Sequence, residues 1–256
     1  MLSGSWNGTK GHLWLIFVLA LAGCASTAPP TEHVADSSGV FHIKPVRPVE
    51  DLLPIALAST PPVESGDFRS ADLVELTALD PTIKLDIRYA TTRNFLGTPL
   101  YSQGRAFMQR PAAEALARVR RSLAAEGYGL LVHDAYRPWY VTKIFWDAMP
   151  VEQHKFVADP TEGSRHNRGC AVDLTLYDLK TGLAVEMPSL YDEATERAYA
   201  TYAGGTAEQR RLRDLLRRHM EAEGFSVYEY EWWHFDYRDW KSYAIQNVRF
   251  EDIGVK

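Results

Sequence analysis

The sequence contains few cysteines and has no large excess of charge of either sign. Only Cys24 and Cys170 are present among 256 residues, which excludes a disulfide framework as the basis of the fold. Lys and Arg number 28 against 33 Asp and Glu, so the chain lacks the positive field that holds nucleic-acid phosphates. Nucleic acid is therefore not an expected partner. A content of 46% hydrophobic and 24% charged residues is typical of a globular chain with one domain of moderate size.

Long apolar runs are also scarce, and the pronounced one lies at the N-terminus. Residues 13–22 are apolar and follow Lys10, a pattern typical of an export signal. Ten helical residues cover about 15 Å, roughly half of a bilayer core, so the run predicts a cleaved signal peptide over residues 1–23. The end of the run, Leu21-Ala22-Gly23-Cys24, is similar to a bacterial lipobox.

The lipobox resemblance implies a lipid on Cys24 and an exported lipoprotein, which we expect on the periplasmic face of the outer membrane. Its partner there would be the membrane, through the N-terminal lipid. An unlipidated, secreted form is the alternative. The next segment is rich in proline, serine and threonine, and it predicts a flexible tether over residues 24–71.

Residues 72–256 mix helical and strand patterns without a repeated βαβ unit. Short β-like runs flank the turn at Asp80-Pro81 and predict a strand pair. Helices are predicted from Pro111 to about Gly127, from Pro138 onward and over residues 209–223; buried or aromatic strands are predicted over residues 130–132, 171–176 and 231–237. The order favours a single α+β domain with a mainly antiparallel sheet and flanking helices.

Two short segments carry polar residues that a hydrophobic core would not select, namely residues 164–173 and 231–234. In the first, Asp173 alternates with apolar neighbours, and Gly169 allows a bend that brings His166 back beside it. With His234, these residues make a three-ligand set for one Zn²⁺ ion with water in the fourth position. That composition indicates a catalytic metal site rather than a closed structural one.

Glu231 lies three residues before His234, and this odd separation sends the two side chains to opposite faces of a regular strand. A bend or bulge must therefore lie between them if both serve one site. With such a bend, Glu231 would serve as the general acid and base while His234 holds the metal. Cys170 is expected to be a buried thiol that neither binds metal nor attacks substrate.

The spacing Ser-x-His-x-x-Gly-x-Ala-x-Asp at residues 164–173, with Glu-x-x-His at residues 231–234, resembles the D-alanyl-D-alanine dipeptidases. These belong to a metallopeptidase group that also contains D,D-carboxypeptidases and hedgehog-like domains. Residues 86–95 and Ala135-Tyr136-Arg137-Pro138 are similar to two further dipeptidase signatures, with Ala135 in place of the usual glycine. The resemblance covers about residues 72–256 and implies a hedgehog/D,D-peptidase-like fold.

The resemblance implies roles for individual residues. It marks His166, Asp173 and His234 as zinc ligands, Glu231 as the general acid/base and Arg137 as the group that stabilises the transition state. Ser164 matches a position that contacts substrate.

The implied activity is zinc-dependent hydrolysis of D-alanyl-D-alanine to two D-alanines in peptidoglycan turnover. Two alternatives remain, a D,D-carboxypeptidase or endopeptidase acting on peptidoglycan stems and a zinc-binding module without turnover. The export signal disfavours glycopeptide resistance, because depletion of the dipeptide before ligation must take place in the cytoplasm. The oligomeric state is not indicated by the sequence.

Overall fold

The computed structural model describes residues 39–254. The signal peptide and Cys24 lie outside the described residues, and the predictions made for them stay predictions. The helices are α1 (Val49–Ala58), α2 (Leu76–Leu79), α3 (Arg110–Ala125), α4 (Trp139–Ala148) and α5 (Ala207–Ala222). The strands are β1 (Leu73–Glu75), β2 (Lys84–Leu85), β3 (Phe107–Gln109), β4 (Tyr128–Asp134), β5 (Ala171–Asp178), β6 (Phe225–Tyr228) and β7 (Glu231–Tyr237). None of the helices in this range has the length and apolar character needed to cross a bilayer.

The main sheet has five strands in the order β2-β4-β5-β7-β6, and only β2 and β4 run parallel. The antiparallel character and the α+β class confirm the prediction. Helices α3 and α5 pack against each other and against this sheet. Residues 171–177 of β5 are all buried, so the central strand is covered on both faces.

The two long helices follow their local sequence signals. Pro111 lies in the first turn of α3, where its missing N–H costs no helical hydrogen bond, and the apolar stripe of this helix is fully buried. A reciprocal capping box between Thr206 and Gln209 begins α5. Gly224 follows α5 with a φ of 89°, a left-handed conformation that favours glycine.

The strand pair predicted around Asp80-Pro81 is wrong. Strand β1 pairs with β3 in a separate two-stranded sheet, and β2 joins the main sheet beside β4. The carboxylate of Asp80 explains the difference: it accepts hydrogen bonds from Thr82 and from Arg120 of α3. The segment is therefore tied to a helix distant in sequence and does not fold back as a local hairpin.

The tether prediction is wrong for residues 40–64. Val49, Leu52 and Ala56 of α1 are buried, and α1 packs on α4. Farther along, the Glu64 carboxylate pairs with Arg168 and accepts the backbone N–H of Ile245. The prolines suggested an irregular segment, yet two of them are compatible with this helix. Pro48 lies just before the first turn, where proline is tolerated. Pro54 removes one hydrogen bond inside α1, and the burial of the apolar residues outweighs that loss.

Candidate metal centre and active site

Adjacent strands of the main sheet set three polar residues in one row. Asp134 at the end of β4 pairs with Asp173 of β5, and Asp173 pairs in turn with His234 of β7. The register between β4 and β5 shifts just before Asp134, so a bulge brings this residue into line. The side chains of all three are buried.

His166 reaches this row from the short 3₁₀ helix His166–Arg168. Gly169 ends that helix at a φ of 68°, and a Cβ there would lie 2.6 Å from Leu73 Cδ2. The backbone therefore bends at Gly169, as expected from the sequence, and β5 begins two residues later. His166 Nδ1 donates to the Ala135 carbonyl at 2.6 Å, which leaves Nε2 without a proton and 3.3 Å from Asp173 Oδ1.

The imidazole of His234 is also oriented by one hydrogen bond, but here Nε2 makes that bond and Nδ1 faces the cluster. His234 Nε2 lies 2.9 Å from Asp236 Oδ1, an acceptor, so Nδ1 is the nitrogen that faces the cluster. His234 Nδ1 is 3.0 Å from Asp173 Oδ1 and 3.1 Å from His166 Nε2. One donor atom from each of His166, Asp173 and His234 therefore lies within 4.8 Å of the other two.

These three donors suit a divalent cation. Asp173 Oδ1 is buried, and its contacts with His234 Nδ1 at 3.0 Å and His166 Nε2 at 3.3 Å lack hydrogen-bond geometry. A cation between these three atoms would satisfy the oxygen, which is costly to leave unsatisfied. Burial lowers the pKa of His234, but Asp236 and Asp173 outweigh burial and raise it well above its usual value. Two imidazoles and a carboxylate are a typical ligand set for Zn²⁺ at a site with an open position.

Glu231 lies beside the His-Asp-His cluster because β7 is irregular. Tyr228 of β6 pairs with Glu231, yet the preceding Val227 pairs with Phe235, so β7 holds three extra residues at this point. This is the bend that the odd spacing required, and it places Glu231 Oε2 3.7 Å from His234 Nδ1. Burial raises the pKa of Glu231 to about 8, which suits a group that takes up and returns a proton near neutral pH.

Arg137 follows β4 and is held by a buried network. Its guanidinium contacts Asp134 Oδ2 through Nε at 2.9 Å, and Tyr101 donates to the other oxygen of Asp134 at 2.7 Å. The guanidinium carbon lies 4.6 Å from the ring centre of Phe145. This preorganised cation lines the same cleft as Glu231 and the three possible ligands.

The remaining predicted residues are also located. Ser164 lines the cleft, and its Oγ accepts the backbone N–H of His166 at 3.2 Å, so it shapes the turn that carries His166. Its contact with substrate stays a prediction. Cys170 is buried among apolar residues and is not part of the His-Asp-His cluster; burial raises its thiol pKa to about 12.

Asp192 was missed by sequence reasoning. It lines the cleft, which measures about 760 Å³ including its open part, and adopts a left-handed φ of 62°. Tyr89 donates to Oδ1 at 2.8 Å, whereas Oδ2 is buried without a partner, and burial raises the pKa of the carboxyl well above its usual range. The residue lies outside helices and strands and at no ligand spacing, so the sequence carried no signal for it.

An α+β domain with this cluster, a neighbouring acid/base and a buried guanidinium has the make-up of a metallopeptidase. The chain belongs to the Peptidase_M15 family, described as D-ala-D-ala dipeptidase, which matches residues 69–253. It is thus a peptidase, and the family resemblance seen in the sequence is confirmed. Helix α1 lies before the matched region.

Two related dipeptidases agree with this membership. A D-alanyl-D-alanine dipeptidase of Escherichia coli (strain K12) is 35% identical over 181 residues, which are 71% of this chain and 92% of that protein. Another from Enterococcus faecium is 37% identical over 175 residues, 61% of this chain and 87% of that one. The structure of the LdcB LD-carboxypeptidase has a TM-score of 0.39 at 22% identity and covers 69% of this chain and 74% of that one.

Proposed function

We propose that the protein hydrolyses D-alanyl-D-alanine to two D-alanines with one zinc ion held by His166, Asp173 and His234. The observation that carries the proposal is the orphaned Asp173 Oδ1, which faces both imidazoles beside Glu231 and Arg137 in one cleft. Support also comes from the alignment with nearly the whole E. coli dipeptidase. When bound, zinc supplies a Lewis acid and acidifies water.

The chain's own residues then divide the chemistry. Glu231 accepts a proton from the attacking water and returns it to the leaving amine, and its raised pKa lets it hold that proton between the two steps. Arg137 donates to the oxygen of the scissile carbonyl as negative charge develops there. Because Asp134 already holds the guanidinium, little reorganisation is needed during the reaction.

Recognition of a free dipeptide follows from charges in the cleft. The buried, unpartnered Asp192 Oδ2 would accept a hydrogen bond from the terminal ammonium of the substrate, and this cation would favour the ionised carboxylate that burial disfavours in its absence. The cations that line the cleft, Arg137, Lys155 and Arg165, favour the carboxylate at the other end. A substrate without the amine would leave Asp192 desolvated and unpaired, so it should be rejected strongly.

The test compares D-alanyl-D-alanine with its N-acetyl form and with a pentapeptide stem. We expect the free dipeptide to be preferred by about 10⁴ in kcat/KM and expect Asp192→Asn to reduce that preference, as the variant removes the carboxylate at nearly constant volume. Comparable kcat/KM on acetylated and free dipeptides would support the D,D-carboxypeptidase alternative. Absence of turnover in zinc-loaded protein would support a binding module.

For the location we propose an exported lipoprotein anchored through Cys24 on the periplasmic face of the outer membrane. The support is the lipobox-like Leu21-Ala22-Gly23-Cys24 after an apolar run. In that location the substrate would be dipeptide released during peptidoglycan turnover. Cys24→Ser should release the protein from membranes or leave its precursor uncleaved, and mass spectrometry of the mature N-terminus decides. An unmodified N-terminus at another residue would contradict the anchor.

A further inference from the structure

The two oxygens of Asp173 have different partners. Oδ1 faces His166 Nε2 and His234 Nδ1 at 3.3 and 3.0 Å and is otherwise unpartnered. Oδ2 accepts a hydrogen bond from the hydroxyl of Tyr191 at 2.9 Å. A carboxylate can bind a metal through one oxygen or through both. The structure therefore offers one oxygen of Asp173 to a metal and commits the other to the protein.

Tyr191 is held so that its hydroxyl points at Asp173. The side chain is buried, with its ring centre 4.7 Å from that of His133 and 5.5 Å from that of Trp233. A tyrosine hydroxyl ordinarily loses its proton only at about pH 10, so this one is a donor at neutral pH. An ionised carboxylate only accepts hydrogen bonds, so Tyr191 is the donor in this contact.

The Tyr191 hydroxyl faces two acceptors, Asp173 Oδ2 at 2.9 Å and the hydroxyl of Tyr89 at 3.2 Å, and Tyr89 gives its own proton to Asp192 Oδ1 at 2.8 Å. The carboxylate oxygen is the nearer acceptor and carries the charge, so the stronger hydrogen bond of Tyr191 goes to Asp173. Arg137 is a cation near Asp173 Oδ2, but its Nη2 is 3.6 Å away and lies closer to Asp134 Oδ2, at 2.8 Å. Tyr191 is thus the group that occupies this oxygen at hydrogen-bond distance.

We propose that Tyr191 is a positioning residue that keeps Asp173 a single-oxygen metal ligand. The inference rests on the metal centre proposed above. Binding through both oxygens would fill a position that water and the substrate carbonyl need, so the Tyr191 hydrogen bond preserves the open site. Tyr191 follows Asp173 by 18 residues, in a stretch without helix or strand, and none of the sequence motifs includes it.

The test replaces zinc by cobalt in the purified protein, because the visible absorption of Co²⁺ weakens when its coordination number rises above four. Tyr191→Phe removes one oxygen atom and keeps the ring packing. We expect weaker cobalt absorption in this variant and a zinc affinity about 10- to 100-fold lower in a chelator competition. The matched control is Tyr89→Phe, which removes the neighbouring hydroxyl and leaves the Tyr191–Asp173 contact; it should keep the wild-type cobalt spectrum.

An unchanged spectrum and zinc affinity in Tyr191→Phe would overturn the inference. So would an equal change in Tyr89→Phe, because the effect would then be a general loosening of the cluster. If Tyr191→Phe fails to fold, the cobalt spectrum of the wild-type protein still tests the inference: strong absorption, as expected for four ligands, agrees with it, and weak absorption would overturn it. Wild-type protein that takes up neither metal would overturn the metal centre as well, whereas metal uptake without dipeptide turnover would leave the inference standing and reject the proposed activity.

Discussion

Oδ2 of Asp134 lies 2.9 Å from Nε and 2.8 Å from Nη2 of Arg137, a buried ion pair that one carboxylate oxygen makes with two guanidinium nitrogens. Asp134 thereby aims the guanidinium into the cleft, while Tyr101 holds the other carboxylate oxygen. Burial favours the neutral form of Asp134 and raises its pKa, with Arg137 opposing. The pair therefore joins the proposed role of Arg137 in catalysis to the stability of the fold.

For Arg137→Ala we expect kcat at saturating substrate to fall about 10²- to 10³-fold, because a preorganised donor to the oxyanion is lost. Stability should also fall by about 3–5 kcal/mol, since Asp134 is left buried and unpaired. Denaturant unfolding separates the two effects, and Arg137→Lys, which keeps the charge, is the control. A near-normal kcat in Arg137→Ala would refute the oxyanion role.

Substituting alanine for His166, Asp173 or His234 should each remove most bound zinc, because three ligands leave little redundancy. Elemental analysis after gel filtration measures the zinc content. His219→Ala is the control, because this histidine lies outside the cluster and contacts Ser122. Full zinc in a His166→Ala/His234→Ala double variant would reject the ligand assignment.

Glu231→Ala should lower kcat by about 10² to 10⁴ and leave zinc bound, because in the proposed function Glu231 transfers the proton and it does not belong to the His-Asp-His cluster. Kinetics and metal content are measured on the same preparation. Glu229→Gln, an exposed change two residues earlier, is the control. Loss of zinc in Glu231→Ala would place Glu231 among the ligands instead.

Stability should fall on acidification through His133. Burial, then the Arg88 guanidinium, lowers its pKa from 6.5 to about 4, with Asp86 and Asp173 opposing. Between these values the unfolded chain binds a proton that the folded protein does not, so stability is fully present above pH 6.5 and is lost as the pH falls toward 4. The loss amounts to about 3 kcal/mol. The free energy of unfolding should depend less on pH in His133→Gln, and an identical slope would contradict this origin.

The segment before residue 66 should contribute to stability through α1. Leu52 is 1% exposed, and Leu52→Ala should cost about 2–5 kcal/mol of unfolding free energy. Leu57→Ala is the matched control, because Leu57 on the same helix is 38% exposed and should cost much less. Equal denaturation midpoints for the two variants would mean that α1 does not pack on the domain in solution, in agreement with the prediction of a tether from the sequence.

Local signals predicted the elements with strong periodicity or caps. Helices α3 and α5 and strands β4, β5 and β7 occur where the apolar patterns and glycines placed them. Helix α1 was missed because its burial depends on contact with α4, which begins 90 residues later in the sequence, while prolines dominate the local pattern. The partner of β2 was missed for a similar reason, since pairing across the main sheet depends on long-range contacts.

The sequence by itself determined which side chains are available for chemistry. The spacing within residues 164–173 and 231–234 selects His166, Asp173, His234 and Glu231, and Gly169 supplies a bend that side-chain sterics deny to most residues. Tertiary structure alone decided how these groups meet. Sheet register aligns Asp173 with His234 across 61 positions of sequence, and the irregular β7 turns Glu231 toward them. Two further residues are recognised only from their contacts in the folded protein. Asp192 has a buried carboxylate oxygen without a partner, and Tyr191 donates a hydrogen bond to Asp173 Oδ2.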